Sequence, residues 1–382
     1  MKQFNSRTTK KIVKFVHMKI AEVTQLLEKI APLSYQENYD NAGLLTGDAS
    51  VTCTGILCTL DATEAVIHEA RRRNCNLVVT HHPIIFGGLK KITGRNYVES
   101  TVITAIKNDI SIYAIHTNLD NVLKGVNDKI ADKLGLINRK ILAPKTQQLM
   151  KLFTFAPVEF AERVRSAIFE AGAGFIGNYS ECSFNAEGVG TFKAEEGTEP
   201  FVGEIGNRHE EREVKMEFIF PGYLQRQIVS AMIKAHPYEE VAYDVVPLAN
   251  ENMCVGSGLV GELSTPVAEE QFLHQLKQSF GLSVIKHTKL LGKPVKKVAL
   301  CGGAGSFLIS KAIAANADIY ITSDVKYHEF FDANDRIVIG DIGHWESEQF
   351  TVDLLFDIIK SKFPTFAVLK SEVRTNPVFY FT

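Results

Sequence analysis

Asn76-Leu77-Val78-Val79-Thr80-His81-His82-Pro83 is an apolar run that ends in two adjacent histidines and a proline. The run reads as a buried strand. Successive side chains on a strand point to opposite faces, so two imidazoles serve one site only if the strand ends by about His81. Pro83 supports extended geometry just before it. Two histidines fixed at the carboxyl end of a buried strand are candidate metal ligands.

The neighbouring segments repeat the pattern. Gly55-Ile56-Leu57-Cys58-Thr59-Leu60 is a second buried strand, followed by Asp61-Ala62-Thr63-Glu64. Asp61 and Glu64 have the spacing of a capping box, which assigns Asp61 a structural role at a helix start. Ser111-Ile112-Tyr113-Ala114-Ile115 is a third strand that again ends in polar residues, from His116 to Asp120. Strand-helix-strand repetition predicts a parallel sheet with ligands at the carboxyl ends of its strands, which brings His116 and Asp120 near His81 and His82. The stretch from Glu37 to Asp48 reads as a turn-rich loop, and Ile84–Lys91 as a loop over the site.

Composition sets the outer bounds. The chain has 382 residues, 45% hydrophobic and 23% charged, with a net charge of −2. That is ordinary for a soluble protein of two or three domains and gives no reason to expect nucleic acid or membrane as partner. The six cysteines are scattered without a CxxC pair, which argues against a disulfide scaffold or a cysteine zinc site and favours a reducing cytoplasm. Residues 1–17 carry five basic residues and no acid, and read as a disordered basic tail before a helix that opens at Met18.

Past Ala143-Pro144-Lys145-Thr146 the character changes. Residues 150–250 hold 16 acidic and 9 basic residues, and the element order is β-α-β-β-α-β, that of a ferredoxin-like unit. The predicted organisation is therefore 18–147 and 251–382 as two α/β portions, with 148–250 inserted. Gly256-Ser257-Gly258-Leu259-Val260-Gly261 matches GxGxxG but lacks the strand before it and the helix after it, so no dinucleotide site is assigned. Gly302-Gly303-Ala304-Gly305 joins a strand to a helix, where backbone amides either hold an anion or permit close packing. His344 and Glu348 are four residues apart at a strand-to-helix turn, so on a helix they share one face and can grip one metal.

Taken together, Tyr39-Asp40-Asn41-Ala42-Gly43-Leu44, Thr80-His81-His82-Pro83, His116-Thr117-Asn118-Leu119-Asp120, Thr322-Ser323-Asp324-Val325-Lys326-Tyr327-His328-Glu329, Gly343-His344-Trp345-Glu346-Ser347-Glu348 and Thr375-Asn376-Pro377 resemble the NGG-interacting-factor-three-like family. Its bacterial members are called GTP cyclohydrolase 1 type 2 homologues. Ser323 stands where glycine is expected, and Trp345 where a smaller aromatic is usual. The resemblance implies an α/β fold with two similar α/β domains facing each other across a dinuclear metal cleft, and a PII/CutA-like α+β insert. It implies two divalent ions (zinc, iron, manganese or nickel) held by His81, His82, Asp120, His344 and Glu348, with a carboxylate bridging. His116 and His328 are candidate proton carriers, and Lys90, Lys326 and the Gly302–Gly305 turn candidate anion holders. The implied function is metal-dependent hydrolysis of a small molecule, in the direction of a nucleotide, by a cytoplasmic homohexamer. The alternative is a metal-binding sensor that acts without turnover through its insert.

Overall fold

The computed structural model describes residues 18–381; the basic tail lies outside the described residues. The strands in chain order are β1 (Gly43–Thr46), β2 (Ile56–Asp61), β3 (Leu77–His82), β4 (Ser111–Ala114) and β5 (Ile137–Lys145). Then come β6 (Leu149–Pro157), β7 (Ser183–Lys193), β8 (Arg208–Pro221), β9 (Tyr243–Leu248) and β10 (Asn252–Val267). The last are β11 (Lys286–His287), β12 (Val295–Ala304), β13 (Ile319–Ser323), β14 (Val338–Asp341) and β15 (Val368–Lys370).

Three sheets result. The first has the order β1-β4-β3-β2-β15, with β4, β3, β2 and β15 parallel and β1 antiparallel at the edge. The second has the order β11-β14-β13-β12-β10-β5, with β12, β13 and β14 parallel. The third is fully antiparallel in the order β7-β8-β6-β9. Its two helices, Ala161–Glu170 and Gln225–Ala235, close a separate core through Val164, Ile168, Ile228 and Met232 against Leu152, Met216 and Phe218. The element order read from the sequence for this segment is the order found.

The two larger sheets exchange strands. β5 lies before the insert yet pairs with β10 of the second sheet. β15 comes from the far end of the chain and pairs with β2 of the first. The GxGxxG stretch lies within β10, where a side chain on Gly256 would meet the Ala143 carbonyl at 2.2 Å, so these glycines serve strand pairing.

Burial on both faces explains the continuous apolar runs of the parallel strands. Ile56, Cys58, Leu77, Val79 and Tyr113 of the first sheet share one cluster with Val298, Leu300, Ile319, Ile321 and Val338 of the second. Val23 and Leu27 of helix Ile20–Ile30, Ile130 of Val126–Lys133, and Leu355 and Ile359 of Thr351–Lys362 join it. The alternate residues Leu57, Val78 and Ile112 face helices Glu64–Arg72 and Tyr97–Lys107, while Ala299, Tyr320 and Ile339 face Ile309–Ala314. Each such side chain contributes roughly 1.5–3 kcal/mol of burial. The shared cluster fixes one sheet against the other, so that the carboxyl ends of both sets of parallel strands meet: His82 Nε2 at the end of β3 and Glu348 Oε2 after β14 are 2.9 Å apart.

Candidate metal centre

β3 does not stop at His81. It runs through His82, which pairs with Asp61 across the sheet. The two rings nevertheless reach past the sheet end to the same carboxylate, with centroids 5.0 Å apart. His344 and Glu348 sit on the short helix His344–Glu348, and Asp120 ends the helical turn Thr117–Asp120 that begins beside His116. Three overlapping groups have donor atoms within 4.8 Å of one another: His81 with Asp120 and Glu348, His82 with His344 and Glu348, and His81 with His82 and His116.

The outward ring nitrogens explain how these groups are aimed. His81 Nδ1–H donates to the Ile115 carbonyl at 2.8 Å. His82 Nδ1 meets Asp61 Oδ1 at 2.7 Å, His116 Nδ1 meets Asp40 Oδ1 at 2.8 Å, and His344 Nδ1 meets Asp324 Oδ2 at 2.6 Å. A ring that donates from Nδ1 keeps its Nε2 lone pair for an ion. His82 Nε2 and His344 Nε2 then lie 3.3 Å apart, and Glu348 Oε2 is 2.9 Å from the first and 3.3 Å from the second. Three acceptors that close require a proton or a cation among them. On the other side, buried His81 Nε2 and Asp120 Oδ1 have no hydrogen-bond partner, and they lie 3.5 Å apart. Orphaned buried acceptors are costly unless something positive sits between them. The residues present therefore fit a metal ion.

Protonation in the metal-free protein follows the same charges. Burial opposes a charge on His82, but hydrogen bonds to Asp61 and Glu348 push it up to about 10. Burial likewise works against His344, yet Asp324 and Glu348 push it up to about 11. Fully buried His81 is lowered by loss of solvent. Asp120 is raised by burial and by the Glu348 charge, whereas Glu348, although buried, is held low by His344, His81 and His82. Asp40, against the cost of burial, is brought down to about 2 by His116 and Thr117.

Glycines make room for the carboxylate. A Cβ on Gly303, at φ +62°, would lie 2.4 Å from Glu348 Oε1, and one on Gly302 3.3 Å from Glu348 Cγ. The Gly302 amide donates to Asn127 Oδ1 at 2.9 Å and the Gly303 amide to Ser347 Oγ at 3.0 Å. Of the two readings of this turn, close packing is the one found; these amides are not free for an anion. Asn127 also binds the Asp120 carbonyl, so it ties the two walls of the site together.

The site opens into a cleft of about 1150 Å³ lined by Asp61, His82, His116, Asp120, His344 and Glu348, with Lys286 and several aromatic side chains farther out. His328 is exposed, stacks on Phe331 and does not line the cleft; nor do Lys90 and Lys326.

Asp61 corrects the sequence reading. Helix Glu64–Arg72 is capped by Thr63, whose hydroxyl accepts from Val66, and Asp61 is free to hold His82. Asp40 and Asp324 were not singled out either. Asp40 lay in a stretch with ordinary turn composition. The signal for Asp61 was a carboxylate closing a buried strand beside a histidine-bearing one, and for Asp324 a carboxylate just past a buried strand whose neighbour leads into His344. The Thr375 hydroxyl donates to the other oxygen of Asp61, and Asn376 Nδ2 to Glu346 Oε1 at 2.9 Å. The hydroxyl of buried Ser323 has no partner, and nothing in the structure explains it.

The family described as Duf34/NIF3 (NGG1p interacting factor 3) matches residues 18–377. The chain belongs to this family. Duf34/NIF3 relatives named GTP cyclohydrolase 1 type 2 homolog include one from Halalkalibacterium halodurans, 41% identical over 94% of this chain and 99% of its own length. One from Bacillus subtilis is 38% identical over 85% of this chain and 87% of its own. Among solved structures, a Bacillus cereus protein related to NIF3 is 37% identical with a TM-score of 0.84, covering 96% of this chain and 100% of that one. The Staphylococcus aureus protein SA1388 is 28% identical with a TM-score of 0.75, covering 95% and 99%. No helix among the described residues is long and apolar enough to cross a membrane.

Proposed function

We propose that this protein is a dinuclear metal-dependent hydrolase. His81, Asp120 and Glu348 would hold one divalent ion, and His82, His344 and Glu348 the other. The observation that carries this reading is Glu348 itself. It is buried at 3% exposure, and its two oxygens face separate histidines: Oε1 lies 3.9 Å from His81 Nε2, and Oε2 2.9 Å from His82 Nε2. Two divalent ions there supply Lewis acidity, lowering the pKa of a nearby water and polarising a carbonyl or phosphoryl oxygen. Mixed imidazole and carboxylate ligation suits zinc, iron, manganese or nickel. His116, steadied by Asp40 and edge-on to both His81 and His82, is placed to hold a proton at Nε2. Asp61, Asp324 and Thr375 keep the rings in the liganding tautomer. The relatives' names support hydrolysis with a small-molecule substrate; the family resemblance also supports a cytoplasmic homohexamer. The test is elemental analysis of the purified protein, then a hydrolysis panel of nucleosides, nucleotides, amides and phosphoesters for the native protein and His82→Ala. Turnover lost with one ion in the variant supports the reading; fewer than two ions per chain in the native protein, or turnover unchanged in the variant, defeats it.

One observation favours a sensor reading. The two tethers of the insert, β5 and β10, pair with each other, and β10 grips Asn121, whose carbonyl accepts from Gly256 at 2.8 Å and whose side chain meets Ser257. Asn121 directly follows Asp120, so a ligand on the insert has a short route to the centre. Metal affinity unchanged by any insert ligand, together with turnover, decides against it.

A further inference from the structure

We infer that the cleft is built for a substrate with an uncharged planar ring and at most one anionic group, and that it rejects a triphosphate. The inference rests on the metal-centre reading only for where chemistry occurs; the charge argument stands with or without ions. Exposed large aromatics gathered in one place mark a binding surface. Here Tyr39, Phe86, Tyr97, Phe307, Trp345 and Tyr380 line a single cleft. Tyr97 and Phe307 are 72% and 65% exposed, and Phe86 is edge-on to His116 with ring centroids 5.5 Å apart. Flat aromatic walls hold planar ligands by stacking and area burial.

The charges of the same cleft are one-sided. Its lining holds seven carboxylic side chains and one lysine, Lys286. With His82 and His344 charged, as in the metal-free protein, that is a formal −4, and with two divalent ions on neutral imidazoles −2. Lys286 is already engaged: its Nζ lies 2.6 Å from Asp341, which is itself 2% exposed and accepts from the Val325 and Gly343 amides. The Gly302 and Gly303 amides are committed to Asn127 and Ser347. The ions could take one anionic group. The remaining charge of a triphosphate would meet carboxylates, and the cleft offers no lysine or arginine to offset it besides Lys286, which is paired with Asp341.

The test compares guanosine with GTP on the metal-loaded full chain by calorimetry, with the emission of Trp345, the single tryptophan of the chain, as a reporter inside the cleft. At about 0.01 M salt, where the Debye length is ~30 Å, guanosine should bind at least tenfold more tightly than GTP. At about 0.15 M, where it is ~8 Å, the gap should narrow because repulsion is screened. Tyr97→Ala and Phe307→Ala, both at exposed positions, should weaken guanosine at least threefold with metal content unchanged. GTP binding as tightly as guanosine, or no saturable guanosine binding, overturns the inference. Metal absent from a protein that still prefers guanosine would instead refute the metal centre and leave this inference standing.

Discussion

Asp61 Oδ1 lies 2.7 Å from Nδ1 of His82, the ring whose Nε2 faces Glu348. The two residues are paired neighbours on adjacent parallel strands, so the sheet register itself sets the orientation of a candidate ligand. Asp61→Asn keeps the shape but removes the charge that fixes the tautomer. Affinity for the ion at His82 and His344 should fall by about 10–100-fold with little change in fold. Competitive titration with a metallochromic chelator checks it; an unchanged affinity would show that Asp61 is not what aims the ring.

Gly303→Ala should damage the site without touching a ligand. The left-handed φ of +62° costs about 1–2 kcal/mol for any residue with a Cβ, and that Cβ would fall 2.4 Å from Glu348 Oε1. Denaturant unfolding should show the loss of stability, and elemental analysis a loss of metal. Full metal content in a stable variant would contradict the geometry.

The metal-free protein should show a definite pH window. His82 and His344 are raised to about 10 and about 11, so their pairing stabilises the fold fully below about 6.5 and is lost as pH rises through those values. Glu348 and Asp61 are depressed, so their contribution is present above their ordinary range near ~4 and fades on acidification. Metal-free stability should peak between these limits, at mildly acidic pH. A divalent ion must displace the ring protons, so its affinity should rise from pH 6 to 9. Calorimetry at pH 7 in two buffers of different ionisation enthalpy should reveal about two protons released per loaded chain. No proton release would mean that the rings are neutral without metal.

Asn376→Leu should destabilise the chain by about 1–3 kcal/mol, because buried Glu346 loses the amide donor at 2.9 Å. The measurement is the denaturation midpoint at constant m-value. A neutral effect would show that water reaches Glu346.

Much of this was readable from local pattern. The strand of His81 and His82 is legible because a run buried on both faces must be apolar, so polar residues at its end stand out. The His344–Glu348 pair is legible because helical periodicity puts i and i+4 on one face. Asp61 was misread because its spacing to Glu64 satisfies a local rule, while its real partner lies on the next strand; Thr63, one residue before the helix, takes the cap instead. His328 looked chemical by residue type, yet it is exposed on a 3₁₀ segment and does not line the cleft. The placement of β5 and β15 had no local signature at all, because pairing between distant strands depends on the whole fold.

That exchange of strands bears on how the protein is made. Sheet one lacks its outer strand until residues 368–370 exist, and Asp61 lacks Thr375 until five residues later. His81, His82 and Asp120 leave the ribosome more than 200 residues ahead of His344 and Glu348, with the self-contained insert folding in between. Under the proposed metal centre, a nascent chain therefore carries only part of the ligand set through most of its synthesis. On the proposed metal centre, tight loading waits for the last part of the chain, which makes metal selection an event of the finished protein rather than of its birth.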